Sequence, residues 1–326
     1  MNSEGARRLK TEPCRRRQGF EASGSLKEDV RITVQAPAKI NLDLQVLRRR
    51  RDGFHELRSV MQSVALHDTL SIRRRPGPLT VHSRTAEVPA DQANLVWTAA
   101  QTLWSMAGRS GVPQNASITI RKNIPIAAGL GGGSSDAAAA LRGLCWLWQL
   151  TSDPAWLRKV AGGIGSDVSF FLRGGIALAE GRGERLRRCA SHEFEPFWVV
   201  LAVPRFGVST AQAYRWLDAD RSRHAAGRPR SFRKDSFAND LETVVARRHP
   251  ELKVMVSKLM EAGATRAAMS GSGSAVFGLF PRQALALRAR CAVRRPGWRT
   301  LLTRAIDRRV FGKLTAIQVV SGASGR

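Results

Sequence analysis

The chain has 326 residues, and 53 Lys and Arg against 26 Asp and Glu leave it a formal charge of +27. With 43% hydrophobic residues it has enough apolar side chain for a packed core, which excludes a disordered basic tail protein. No apolar run approaches the roughly 18 to 20 residues that a membrane-spanning helix needs, which excludes a helical membrane protein.

The segment 1–29 is polar and Arg-rich, lacks the apolar core of a signal peptide, and carries Glu4, Glu12, Glu21, Glu28 and Asp29, unlike a transit peptide. It reads as a disordered extension. Regular patterning begins with Ile32 to Ala36, an alternating run predicted to be a strand ending at Pro37, because the residue before proline sits at a frequent element boundary. Leu42 to Leu47 is a second strand-like run, followed by Arg48 to Arg51 and Asp52-Gly53, a dipeptide that favours a hairpin turn. Thr69 to Arg73 and Ser117 to Ile120 read as strands, and Asn94 to Met106 as a helix.

Ala137, Ala140, Leu141, Leu144, Cys145 and Trp148 recur at helical spacing and predict a helix with one buried face. Strand-like pieces follow at Ala177 to Ala179 and Trp198 to Val203, then a polar, Arg-rich stretch from Asp218 to Asp235 that reads as an exposed loop. Val254 to Met260 and Gln283 to Cys291 predict helices on either side of a strand at Ala275 to Leu279. The interspersed pattern is that of an α+β protein, with domains at 30–180 and 181–305 and a tail at 306–326.

The segment Pro125-Ile126-Ala127-Ala128-Gly129-Leu130-Gly131-Gly132-Gly133-Ser134-Ser135-Asp136 runs straight into the amphipathic helix. Successive glycines let backbone amides approach an anion, and the helix adds unpaired N–H groups and the positive end of its dipole, which makes a phosphate cradle. Simple N-capping by a serine needs no run of three glycines. The loop is not a Walker A motif, because no lysine follows its last glycine, and no acidic residue stands where a dinucleotide fold needs one. The four cysteines, Cys14, Cys145, Cys189 and Cys291, form no C-x-x-C pair and no zinc set, as expected for free thiols of a cytoplasmic protein.

Six segments in order resemble the GHMP kinase superfamily: Ala36-Pro37-Ala38-Lys39-Ile40-Asn41-Leu42, Asp52-Gly53-Phe54-His55-Glu56-Leu57, the Gly-rich loop, Gly165-Ser166-Asp167-Val168-Ser169-Phe170-Phe171, Asn239-Asp240-Leu241-Glu242, and Met269-Ser270-Gly271-Ser272-Gly273-Ser274. The first two are most similar to the branch acting on 4-diphosphocytidyl-2-C-methyl-D-erythritol rather than on galactose, homoserine or mevalonate. The resemblance spans roughly Val30 to Arg304. It implies a two-domain GHMP-kinase fold, with a ribosomal-protein-like N-terminal ATP-binding domain, a ferredoxin-like C-terminal substrate domain and the active site in the cleft between them. It also implies ATP-dependent phosphorylation of the 2-hydroxyl of that cytidylated alcohol in non-mevalonate isoprenoid synthesis.

Residue by residue, the resemblance implies that Asp167 is the general base for the alcohol. Lys39 would be its partner, orienting the carboxylate and stabilising charge on the transferred group. A second reading makes Asp167 an N-cap for the segment after it. Asn41 would touch substrate or hold Lys39. Phe54 and His55 would read the cytidine base, Thr210 would contact substrate, and Tyr214 would sandwich the base. Asn94 and Lys122 would contact ATP outside the loop formed by residues 125–135. Mg2+ would accompany ATP, resting mainly on phosphates and water, with Ser135 as a candidate contact and no protein ligand assigned. Ser270 to Ser274 would close the site as a second amide turn.

Both implied substrates are polyanions, so a basic cleft would speed encounter, yet many arginines lie outside the motifs and read as solvated surface. A nucleic-acid binder is the alternative from another class. It would need exposed aromatics among the basic residues, and the single tyrosine argues against it. The expected partner is therefore a small cytidylated molecule, with no membrane and no specific nucleic acid, on a monomer or weak dimer.

Overall fold

The computed structural model describes residues 30–150, 153–189, 196–223 and 238–320. The predicted extension at 1–29 lies outside them.

One strand organises the molecule. Apolar residues stand at every even position from Ile32 to Val46, so a single period-2 face runs unbroken through β1 (Arg31–Arg49). Ile32, Val34 and Ala36 enter the first core, Ala38, Ile40 and Leu42 a seam between the two sheets, and Leu44 and Val46 the second core. The predicted break at Pro37 is therefore corrected. The strand passes through proline at a register shift between Pro37 and Lys39, and the Lys39 amide donates to Leu130 O (3.0 Å) instead of to the neighbouring strand. The Asp52-Gly53 turn forms as expected, with Gly53 at φ +84°, and returns the chain as β2 (His55–Arg73).

The first sheet continues with β3 (Thr80–Ser83), β4 (Ser117–Arg121), β5 (Ile176–Gly181) and β6 (Arg185–Arg188). The far half of β2 pairs with β4 and its near half with β5. Between them come α1 (Leu95–Met106), α2 (Gly132–Leu147), α3 (Pro154–Gly162) and the single turn α4 (Val168–Phe171). Ala137 to Ala140 and Gly143 let α2 lie close on the sheet: a Cβ at Gly143 would come within 2.4 Å of Ile72 Cδ1.

The second domain runs β7 (Trp198–Val203), α5 (Thr210–Arg223), α6 (Asp240–Arg248), α7 (Glu251–Glu261), β8 (Arg266–Met269), β9 (Val276–Phe280), α8 (Gln283–Ala292) and β10 (Arg299–Arg304). Its sheet order β10-β7-β9-β8 is the 4-1-3-2 order of the expected ferredoxin-like sandwich. Helices cover one face. The other face, with Val199, Leu201, Val203 and Phe277, packs on Ala38, Ile40, Leu42 and Leu130.

Three boundaries differ from expectation. The segment 181–188 still belongs to the first sheet, because β6 pairs with β5. The expected loop from Asp218 begins as the last turns of α5, and 224–237 lies outside the described residues. The expected tail carries α9 (Arg308–Leu314) and β11 (Gln318–Val320), which pairs with Arg31 to Thr33 of β1 and closes the first sheet. Phe311 fills the space over Gly174, where a Cβ would meet its ring at 2.0 Å. No helix among the described residues is long and apolar enough to cross a membrane.

Candidate active site

Strand alternation decides which residues of β1 face the cleft. While Ala38, Ile40 and Leu42 fill the seam, Lys39 and Asn41 point the other way into a cavity of about 820 Å³ that both domains line. Lys39 Nζ donates to Gly129 O (2.9 Å) and to Asn41 Oδ1, and lies 3.9 Å from Asp167 Oδ2. Burial lowers the lysine pKa below its ordinary value, and the Asp167 charge partly offsets this. Asn41 donates to Ser59 Oγ (2.8 Å), so its amide is used in holding Lys39. Asp167 precedes α4, but its side chain makes no capping hydrogen bond, which disposes of the N-cap reading. The carboxylate lies on the cavity wall, and its side chain is 35% exposed.

The Gly-rich loop is pinned by its carbonyls. Ala127 O accepts from Val208 N (3.2 Å), Ala128 O from Ala275 N (3.1 Å), Gly129 O from Ser270 Oγ (3.0 Å) as well as Lys39, and Leu130 O from Lys39 N. With the acceptors engaged by other elements, the donors are what remain for the cavity. Gly131, at φ +71°, is the N-cap of α2 and offers no side chain, so the first-turn amides are left uncapped. Ser135 is buried and does not line the cavity; its hydroxyl donates to Pro37 O (2.7 Å).

Gly129 has φ +72°, and a Cβ there would stand 2.0 Å from Ser270 O. Gly129→Ala is therefore expected to cost about 2–4 kcal/mol, from left-handed strain plus a backbone clash that only domain separation relieves. A denaturant titration of variant and parent checks this. The turn it meets is held by Asn239, whose amide donates to Met269 O (2.8 Å) and Gly271 O (2.7 Å) while its oxygen caps α6 at Leu241. Thr210 Oγ1 lies 3.0 Å from Ser272 Oγ.

At the loop's entry, Lys122 Nζ donates to Asp136 Oδ2 (2.7 Å) and to Asp68 Oδ2. Asp68 Oδ1 also accepts from the amides of Asn123 (2.6 Å) and Ile124 (2.9 Å). Asn94 caps α1 through Val96 N (3.0 Å) and donates to Pro89 O (2.7 Å). Both predicted nucleotide contacts thus line the cavity with their polar groups engaged by protein.

At the opposite end Phe54 is 53% exposed, and Arg182 stacks over its ring at 4.9 Å. His55 is buried, stacked on Tyr214 (centroids 4.9 Å, planes 21° apart), with Nε2 2.7 Å from Asp218 Oδ1. Desolvation raises the Tyr214 hydroxyl pKa above its ordinary value. Sequence reasoning gives no site role to Arg182, Asp218, Asp68 or Asp136, although Asp136 ends the Gly-rich segment. A signal for Asp218 was its place one helical turn beyond Tyr214.

A nest of amides beside a lysine–carboxylate pair, all on the first domain's side of a two-domain cleft, suits a small-molecule kinase, and the family pattern agrees. The GHMP kinases N terminal domain matches residues 94–175, and the GHMP kinases C terminal domain matches residues 222–297. A 4-diphosphocytidyl-2-C-methyl-D-erythritol kinase of Pelotomaculum thermopropionicum is 43% identical over 290 residues, covering 86% of this chain and 99% of that protein. The Bacillus subtilis protein of the same name is 43% identical over 260 residues, covering 77% and 88%. A crystal structure of 4-(cytidine 5'-diphospho)-2C-methyl-D-erythritol kinase superposes with a TM-score of 0.67 at 34% identity, covering 84% of this chain and 98% of that one. Methanococcus jannaschii mevalonate kinase, at TM-score 0.63 and 13% identity, shares the fold. The chain belongs to the 4-diphosphocytidyl-2-C-methyl-D-erythritol kinase family of the GHMP kinases.

Proposed function

We propose that this kinase transfers the γ-phosphoryl group of ATP to the 2-hydroxyl of 4-diphosphocytidyl-2-C-methyl-D-erythritol. The observation that carries the reading is the pairing of Asp167 with Lys39 in a cavity that has amide donors at one end and an aromatic pocket at the other.

The residues fit a bound nucleotide: the amides of 129–133 would hold its phosphates, and Lys122 with Asp68 would set the loop's entry rather than act as a free cation. ATP supplies the electrophilic phosphorus and ADP as leaving group. Asp167 accepts the substrate hydroxyl proton as the new O–P bond forms and the bond to ADP breaks, so proton and charge are accounted for. Lys39 is held by Gly129 O and Asn41, so its ammonium stays fixed where charge develops and costs little reorganisation. Mg2+ would ride on the phosphates. Ser135, the candidate ligand, is buried and does not line the cavity.

At the far end, Phe54 and Tyr214 offer ring faces to a pyrimidine, and His55 a directed polar edge. The test is phosphoryl transfer from ATP to the cytidylated acceptor beside mevalonate, homoserine and galactose. Transfer to the cytidylated alcohol alone is the expected result. Transfer only to another acceptor would retain the phosphate loop and remove the substrate assignment.

A further inference from the structure

His55 is held by two residues of one helix face. Tyr214 and Asp218 lie four apart on α5, one under the imidazole ring and the other at its Nε2. A carboxylate has no proton to give, so in this pair Nε2 must be the donor and Asp218 the acceptor. A neutral imidazole carries one N–H. Once Nε2 has it, Nδ1 presents a lone pair, and among the described residues Nδ1 has no hydrogen-bond partner.

We infer that Asp218 is a specificity-determining positioning residue, fixing His55 in the tautomer whose Nδ1 accepts a hydrogen bond from the exocyclic amine of cytosine and turns away the carbonyl of uracil. The inference rests on the cytidylated substrate proposed above and deepens it. Cytosine and uracil differ at that edge by donor against acceptor. Facing an acceptor, one base forms a hydrogen bond and the other sets two lone pairs against each other in a buried site. His55 is 8% exposed, so water cannot easily mediate. The stack on Tyr214 holds the plane of the ring, and a half-turn of the ring would put carbon in place of Nε2 against Asp218.

Asn in place of Asp218 can turn its amide N–H toward Nε2, which frees the histidine to carry its proton on Nδ1. The test measures competition by cytidine diphosphate and uridine diphosphate against the cytidylated substrate, for the parent enzyme, Asp218→Asn and Asp218→Glu. The parent is expected to favour the cytidine compound by about 10-fold or more, Asp218→Asn to bring the ratio near one, and Asp218→Glu to restore part of it. The KM for ATP should not move. An equal loss of both competitors in Asp218→Asn, with the ratio kept, would make Asp218 merely structural and overturn the inference while leaving the substrate reading intact. A parent enzyme that binds neither diphosphate would overturn the substrate reading itself, and this inference with it. Nitrogen NMR of the parent's His55 is the independent check: protonated Nε2 is expected, and protonated Nδ1 would overturn the tautomer assignment even if the variants fail to fold.

Discussion

Asp167→Asn is expected to lower kcat by about 10²–10⁴-fold while leaving the KM for ATP within about twofold, because a general base acts on the acceptor's proton in the transition state and not on nucleotide binding. The structure separates the two roles. Every carbonyl that pins the Gly-rich loop is held by Lys39, Ser270, Val208 or Ala275, and none by Asp167. Asp167 makes no capping bond to α4, so the isosteric amide should not loosen the backbone. The variant also touches Lys39. Burial pushes the lysine pKa down and the Asp167 charge pushes it up, so loss of that charge leaves only the downward influence. If transfer needs the ammonium, the alkaline limb of the residual activity should shift to lower pH in Asp167→Asn. Steady-state kinetics across pH check both statements, and a variant with the parent's kcat would remove Asp167 from the chemistry.

Much of this site was legible because its chemistry is local in sequence. The glycine run, its helix and the Ser270 to Ser274 turn are contiguous, and the alternation of β1 was visible over both halves. At Pro37 the tendency of proline to end a strand loses to the apolar period that continues at Ala38, Ile40 and Leu42. What sequence did not show are pairings between distant positions. Asp68 reaches Lys122 across 54 residues, and Asp218 reaches His55 across 163. Nothing in the local pattern of β2 marks Asp68 as a completely buried carboxylate. The closing strand β11 escaped notice for the same reason, since a three-residue edge segment has no periodicity of its own and is defined by the Ile32 backbone it meets. The Asn239-Asp240-Leu241-Glu242 motif was recognised as a segment, but its work is in the folded form. Asn239 and Glu242 tie the turn at 269–271 to α6, and Asp240 accepts from Val46 N (2.9 Å).

Asp68→Ala is expected to destabilise the protein by about 3–5 kcal/mol, the range for removing one partner from a buried ionic cluster. Asp68 is fully buried and satisfies three donors at once, the ammonium of Lys122 and the amides of Asn123 and Ile124. Its loss would leave those amides without an acceptor at the entry to the phosphate loop, so the KM for ATP should rise together with the loss of stability. Asp136→Asn should behave differently. Two carboxylates share one lysine here, and Asp136 Oδ1 is buried with no hydrogen-bond partner among the described residues. Burial first, and the Asp68 charge with it, push the Asp136 pKa from 3.8 up to about 7, against the pull of Lys122. A carboxyl held above its unfolded value favours the folded state at low pH, and that contribution is lost as pH rises from about 4 to about 7. In Asp136→Asn the neutral amide leaves Lys122 and Asp68 as a balanced pair, and this part of the pH dependence should vanish. Denaturant midpoints taken between pH 4 and pH 8 decide the matter. The parent should lose stability relative to Asp136→Asn across that window, whereas a constant difference would show that Asp136 is ionised throughout and that Lys122 neutralises both carboxylates.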